Sequence, residues 1–244
     1  VNFEFALRHH IRLKDKKSLQ VVEESLTHMA NGGIYDQIGG GFHRYSTDEK
    51  WLVPHFEKML YDNALLASLY IHVYETTNNR FYLNIAEDTL SYVKREMLDN
   101  NGSFYSSQDA DSEGIEGKFF VWSPEEIIEV LGKKDGEIFN DIFGVTTNGN
   151  FEGKSILNKS NSQQTISLQD DPDFLKNINS SKKKLLAARN TRIAPETDKK
   201  IITSWNALMM KSFAEGAIAT KNQEYLRIAQ LNADFITSNL YKSS

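Results

Sequence analysis

The chain has 244 residues, a net charge of −5, a pI near 5.7 and no cysteine. That charge excludes the basic face a nucleic-acid partner needs. The missing thiols exclude disulfides, a cysteine nucleophile and Cys-based zinc sites within these residues. No apolar run approaches the roughly 18–20 residues that cross a bilayer, so no membrane partner and a cytoplasmic location are expected.

In chain order the elements read as helix after helix. Leu19 to Ala30 sets Leu19, Val22, Leu26, Met29 and Ala30 on one stripe, with Ser18 as N-cap and Gly32 as stop. Glu57 to Glu75 repeats the period through Leu60, Ala64, Ala67 and Ile71, and Phe81 to Met97 through Tyr82, Ile85, Ala86 and Val93. Ser103–Ser107 and Lys118–Trp122 are aromatic, β-prone runs. They are predicted as two strands around the acidic stretch Gln108–Gly117. At Ser123-Pro124-Glu125-Glu126, Ser caps, Pro takes the first helical position and Glu126 completes a capping box, with Gly132 as the stop. Further helices are predicted over Glu137–Phe143, Asp173–Asn177, Ser181–Asn190, Ser204–Thr220 and Glu224–Asn239, with Thr203 or Ser204 capping the fourth of these. Asn158–Asp171 is polar and reads as a surface loop.

The chemistry concentrates between Gly32 and Tyr70. Five glycines there allow positive φ and close approach, among side chains that move protons or grip polar ligands. Asp36, His43 and Arg44 form a grouping suited to acid–base work, or else one that bonds loop carbonyls and holds the glycine turns. Trp51, His55 and Glu57 offer an aromatic face beside polar groups, which suits a sugar ring, or equally a hydrophobic staple at a helix start. Tyr61, Asp62 and Asn63 are consecutive helical positions, so at most one meets a ligand. With Leu60 and Ala64 buried, Tyr61 or Asn63 is expected at the rim.

Two further clusters follow. Asp109, Asp111, Glu113 and Glu116 crowd four carboxylates together, either against a cation or in water. The spacing imitates the opening of an EF-hand, but Phe120 stands where the bidentate Glu is required, so no metal is expected. Gly153-Lys154-Ser155 lacks the earlier glycine of a phosphate loop, since Asn148 holds that place. Arg192, Trp205 and Asn206 complete the candidates, Arg192 to neutralise the acidic stretch or hold an anion.

Three long motifs carry a resemblance: GGIYDQIGGGFHRYSTDEKWLVPHFEKMLYDNALL from Gly32, FYSSQDADSEGIEGKFFVW from Phe104 and RIAPETDKKIITSWNALM from Arg192. With NFEGKSIL from Asn150 between the last two, the chain resembles the YyaL-like proteins, related to the spermatogenesis-associated thioredoxin-like family. Ala207 departs from the glycine usual after the Trp-Asn pair. The resemblance implies an all-α fold, an α/α toroid of the six-hairpin glycosidase type. With the helices counted here the toroid is incomplete and carries a small β-hairpin. Residues 1–244 are then one partial toroid domain, without the thioredoxin-like domain and the remainder of the ring. It implies a small sugar as ligand and the thioredoxin-like domain as partner, and uncovered helix faces imply self-association. Two functions remain open. One is a cofactor-free carbohydrate-active enzyme, epimerase- or glycosidase-like, with His43 and His55 exchanging protons, Asp36, Asp109 or Asp111 supplying carboxylates, and Arg44, Trp51, Glu57, Tyr61, Asn63, Arg192, Trp205 and Asn206 binding substrate. The other is a non-catalytic module serving the thioredoxin-like domain.

Overall fold

The structure, a computed structural model, describes residues 1–159 and 171–241. The polar loop expected at 158–171 lies, but for its ends, outside the described residues.

Three antiparallel helical hairpins form the frame. The first is α1 (Asn2–Leu13) with α2 (Lys16–Asn31), the second α3 (Leu60–Thr77) with α4 (Arg80–Glu96). The third pairs Thr203–Thr220 with Gln223–Phe235, which continues into a π-helical turn at Ile236–Leu240. Between the second and third hairpins come α5 (Pro124–Leu131), α6 (Lys133–Ile142) and α7 (Pro172–Arg189), so the third hairpin is α8 and α9. α1, α3 and α8 stand side by side as inner helices, with α2, α4 and α9 behind them.

The second and third hairpins are two copies of one design. Both inner helices have 18 residues and end on a left-handed residue, Asn78 or Lys221. Asn79 and Asn222 then cap the outer helices through their side-chain oxygens. Tyr82-Leu83, Ile85 and Ala86 of α4 recur as Tyr225-Leu226, Ile228 and Ala229 of α9. Asn63 and Asn206, four residues into their helices, each clamp one passing strand. Asn63 Oδ1 accepts from Phe42 N at 2.7 Å and its Nδ2 donates to Phe42 O at 3.0 Å. Asn206 does the same to Phe104 N and O at 2.8 and 3.0 Å. Each amide also donates to the carbonyl four residues back, Met59 or Ile202.

Local chemistry shifts several expected boundaries. Asp15, rather than Ser18, caps α2, because its carboxylate takes both Lys17 N and Ser18 N. The helix expected from Glu57 begins at Leu60, since Lys58–Met59 (β3) is drawn into a three-stranded sheet with Ser107–Gln108 (β4) and Thr197–Asp198 (β7). The expected pairing of Ser103–Ser107 with Lys118–Trp122 does not form. The hairpin lies inside the acidic stretch instead, Asp111–Ser112 (β5) against Ile115–Glu116 (β6). Its two-residue turn, Glu113 at φ 54 and Gly114 at φ 74, has the positive angles such a turn demands. The two runs expected at 173–177 and 181–190 fuse into α7, capped by Asp171. α8 has no side-chain cap, neither Thr203 nor Ser204 serving. A short ladder of Tyr45–Ser46 (β1) with Pro54–His55 (β2) completes the strands. The capping box of Ser123 and Glu126 forms as its sequence predicts.

Candidate active site

The glycine-rich loop is built around a buried ionic cluster. Asp36 receives Arg189 Nη1 and Nη2 at 2.8 and 2.9 Å, Lys58 Nζ at 2.8 Å, and the backbone N–H of Ile38 and Gly39. All three charged side chains are buried. Gly39 is required here, because a Cβ would stand 2.1 Å from Arg189 Nη2. Gly40 and Gly41 then turn the chain at positive φ of 74 and 79. Lys58 also donates to Gly40 O and lies 4.2 Å from the centre of the Tyr92 ring. Although burial opposes it, the two cations hold Asp36 well below the usual carboxylate range, and burial brings Lys58 down to about 8. Every oxygen of Asp36 is thus committed, and this carboxylate serves the loop.

His43 stands on this cluster. Its Nδ1 lies 2.7 Å from Phe56 O, and since a carbonyl only accepts, Nδ1 carries the proton. Burial, then the nearby Lys58 charge, push it down to about 3, so it stays neutral. Its ring meets Phe56 and Phe120 edge-on. A histidine so weakly basic does not exchange protons near neutral pH, which corrects the role expected of it.

Other expected contacts are also redirected. Asn63 and Asn206, expected to hold ligand, are fully buried clamps on the backbone. Arg192 donates to Phe119 O and Val121 O and lies 3.9 Å over Trp122, so it closes a bend instead of reaching the acidic stretch. Asp109 and Asp111 are exposed beside or on the β5–β6 hairpin, Asp109 bonding the N–H groups that follow it. No group of acids and histidines suited to a metal occurs among the described residues. His55 Nδ1 bonds Glu116 at 2.7 Å, and the ring stacks on Tyr45.

Of the remaining candidates, Arg44 and Trp51 line a cavity of about 600 Å³ to which the start of α3 adds Asp62; Glu57, Tyr61 and Trp205 are not among its walls. Its walls come from α1, α3, α8 and the β1 region. They are largely apolar, with Trp51, Leu65, Leu69 and Leu208 among them, and His43, Arg44 and Asp62 face it. Asp62 is the feature sequence reasoning passed over. Its Oδ2 is buried without a partner, and desolvation raises the carboxyl to about 6. Asp62 heads a stripe with Leu65, Leu69 and His72, a helical spacing that was readable in the sequence. Arg44 bonds Glu57 at 3.1 Å and Tyr61 sits beside both Arg44 and Asp62. The Tyr61 ring lies 4.7 Å from that of Trp205, a pair of aromatic faces at the starts of α3 and α8.

At the far end of the same cavity His72 is bonded on both sides, Nδ1 to Glu4 of α1 at 3.0 Å and Nε2 to Glu215 of α8 at 3.1 Å. Those two bonds raise His72 to about 9. Glu215 is lowered to about 2: burial opposes this, and the bonds from His72, Lys211 and Ser68 outweigh it.

Inner and outer helical hairpins with loops gathered at one rim define part of an α/α toroid, and solved structures agree. A family 76 glycoside hydrolase from a bovine Bacteroides thetaiotaomicron strain matches 98% of the chain at a TM-score of 0.57 and 13% identity, the chain covering 34% of it. An inactive variant of an α-1,6-mannanase from Salegentibacter, solved with α-1,6-mannotetrose, matches 98% at 0.55 and 13% identity, with 45% of that chain covered. These likenesses are of fold alone.

By sequence, the human spermatogenesis-associated protein 20 is 32% identical over 98% of this chain. An uncharacterised Caenorhabditis elegans protein is 32% identical over 95% of it. The chain matches one stretch of the spermatogenesis-associated family, as its motifs imply, and spans about a third of the length of these relatives, 34% and 36%. No protein-family model matches it. No described helix is long and apolar enough to cross a membrane.

Proposed function

We propose that this chain carries the acid–base site of a carbohydrate-active enzyme that cleaves glycosidic bonds, with Asp62 as its acid. The supporting observation is the Asp62 carboxyl, which is desolvated, raised to about 6 and has one oxygen free of any partner in a cavity. A carboxyl of that kind is protonated below about pH 6, keeps a protonated fraction near neutral pH, and can give its proton to a leaving oxygen. The neighbouring Tyr61 and Trp205 rings, tilted by 58°, suit the apolar face of a sugar, and the fold is shared with glycoside hydrolases. Hydrolysis is preferred to epimerisation because the histidines are occupied: His43 is neutral and pinned, and His55 is paired with Glu116. The site needs no cofactor in this reading, and a cytoplasmic setting fits the composition. The test is turnover of α-linked manno-oligosaccharides by the intact protein and its Asp62→Asn variant. Loss of about 100-fold or more with the circular dichroism unchanged is expected, and equal turnover by the variant would remove Asp62 from the chemistry.

A second reading has its own observation. Asp36, Asn63, Asn206 and Arg192 are all committed to backbone groups or to side chains of the framework, which is how a recognition scaffold is stiffened. In that case the rim grips the thioredoxin-like domain of the family, no oligosaccharide is turned over, and Asp62→Asn weakens that association instead.

A further inference from the structure

We propose that the cavity is shaped for an amphiphilic glycoside, with its sugar at the Asp62 end and an apolar aglycone lying along α3. The inference rests on the glycosidic reading above and names its substrate class.

The cavity has two unlike ends. Asp62 and His72 both line it, and their positions on α3 set them about 15 Å apart at the rise of a helix. At the Asp62 end a buried carboxyl oxygen has no partner. At the His72 end the polar groups are paired with one another, His72 with Glu4 and Glu215, Arg8 with Glu4, and Lys211 with Glu215. The unpaired oxygen that the bridging atom of a glycoside can meet is therefore at one end only. Between the ends the wall is apolar. Leu65 and Leu69 share the α3 stripe with Asp62 and His72, and Leu208 adds to the wall from α8. Leu65 and Leu208 hold the same place in the two copied hairpins, each two residues past its Asn63 or Asn206 clamp. Leu65 is 37% exposed and Leu208 only half-buried, so both helices leave a leucine uncovered on one cavity.

An alkyl chain gains where a second sugar does not. Each methylene it buries on such a wall is worth roughly fourfold in affinity, whereas sugar hydroxyls would lose their water against leucine. The volume also favours a small ligand. About 600 Å³ is of the size such ligands take, and a helix of that length, about 10–12 Å across, would need about twice the space. On cleavage Asp62 gives its proton to the oxygen between sugar and aglycone. The electrons of the breaking C–O bond leave with that oxygen, and the aglycone departs as an alcohol. One water adds to the anomeric carbon and releases a proton, which restores Asp62 through solvent.

The experiment is titration calorimetry of the intact protein with octyl and methyl 1-thio-α-mannosides, whose sulfur bridge resists cleavage, below the concentration at which the octyl compound forms micelles. The octyl compound should bind about 100-fold tighter, the gain from burying half of its additional methylenes. Leu65→Gln and Leu208→Gln change partly exposed positions, which folding tolerates. Each should remove about fivefold or more of the octyl preference. Equal affinity for the two thioglycosides would overturn the inference. So would octan-1-ol binding as tightly as the octyl thioglycoside, which would make the sugar idle, or a preference that survives in both leucine variants. Turnover of manno-oligosaccharides in any of these cases would leave the glycosidic reading standing. No binding of either thioglycoside, together with no oligosaccharide turnover, would overturn both readings.

Discussion

Asp62 is held at a cost. A carboxyl whose folded-state value is raised from 3.8 to about 6 gives stability present below the unfolded value and lost as pH rises through about 6. At neutral pH the ionised group is therefore unfavourable where it sits. Asp62→Asn should raise the unfolding free energy at pH 7 by about 1–2 kcal/mol, reduced from the full shift because the group is only part-buried. The gain should vanish near pH 4, and urea titrations at the two pH values would show it. Asp36 predicts the opposite. Among the described residues it is the only anion bonded to two buried cations, so Asp36→Asn should destabilise by about 3–5 kcal/mol. The sequence exposed the density of chemistry in this loop but not its division of labour. Arg189 lies far along the chain from Asp36, and nothing local announces that it will take both carboxylate oxygens. Asp62 was closer to legible, since α3 is apolar nearly all round and so has two buried faces, the second headed by Asp62.

The Asn clamps belong to the scale of the element. A helix start that grips a strand through both its N–H and its C=O fixes the height of that strand against the helix. The rim is thereby built twice by one device. Asn206→Ala would leave Phe104 N and O unpaired in a site with no access to water, costing about 2–3 kcal/mol. Guanidinium melts should show that loss, and Asn206→Asp should recover only the bonds the amide oxygen accepts, from Phe104 N and Asn232 Nδ2, and not those the amide nitrogen donates. The helices themselves were readable from their apolar period, and the capping box at Ser123 from four residues. Their starts were not where competing strands intervened: β3 takes Lys58 and Met59 from the expected head of α3 because Ser107 and Gln108 lie ready to pair with them. Likewise Glu113-Gly114 suits a tight turn better than the wide loop the aromatic flanks suggested.

Across the whole described structure, His72 ties all three inner helices at one point. Its value is raised, so its contribution is fully present below the unfolded 6.5 and lost as pH climbs through about 9. Glu215 is lowered, so its contribution is present above 4.5 and lost as pH falls toward about 2. The tie is therefore strongest between those unfolded values. His72→Gln should cost about 1–2 kcal/mol near pH 6, with the difference shrinking by about pH 10 as the wild-type ring loses its proton. Denaturant midpoints at the two pH values would check it. The toroid was recognisable from motifs in order, whereas the pairing of Glu4 with Glu215 across one histidine depends on which helices become neighbours.

The second and third hairpins touch along α3 and α8, yet the whole of α5, α6 and α7 is threaded between them. Closing so long an excursion is entropically slow. The rim draws on β3, β4 and β7 and on the starts of both inner helices, so it exists only after that closure. A growing chain therefore carries Glu57 and Asp62 for a long interval before Trp205 arrives. Until then the site stands open on one side, and under the proposed function turnover should appear late and all at once in refolding, well after most of the helical signal has returned.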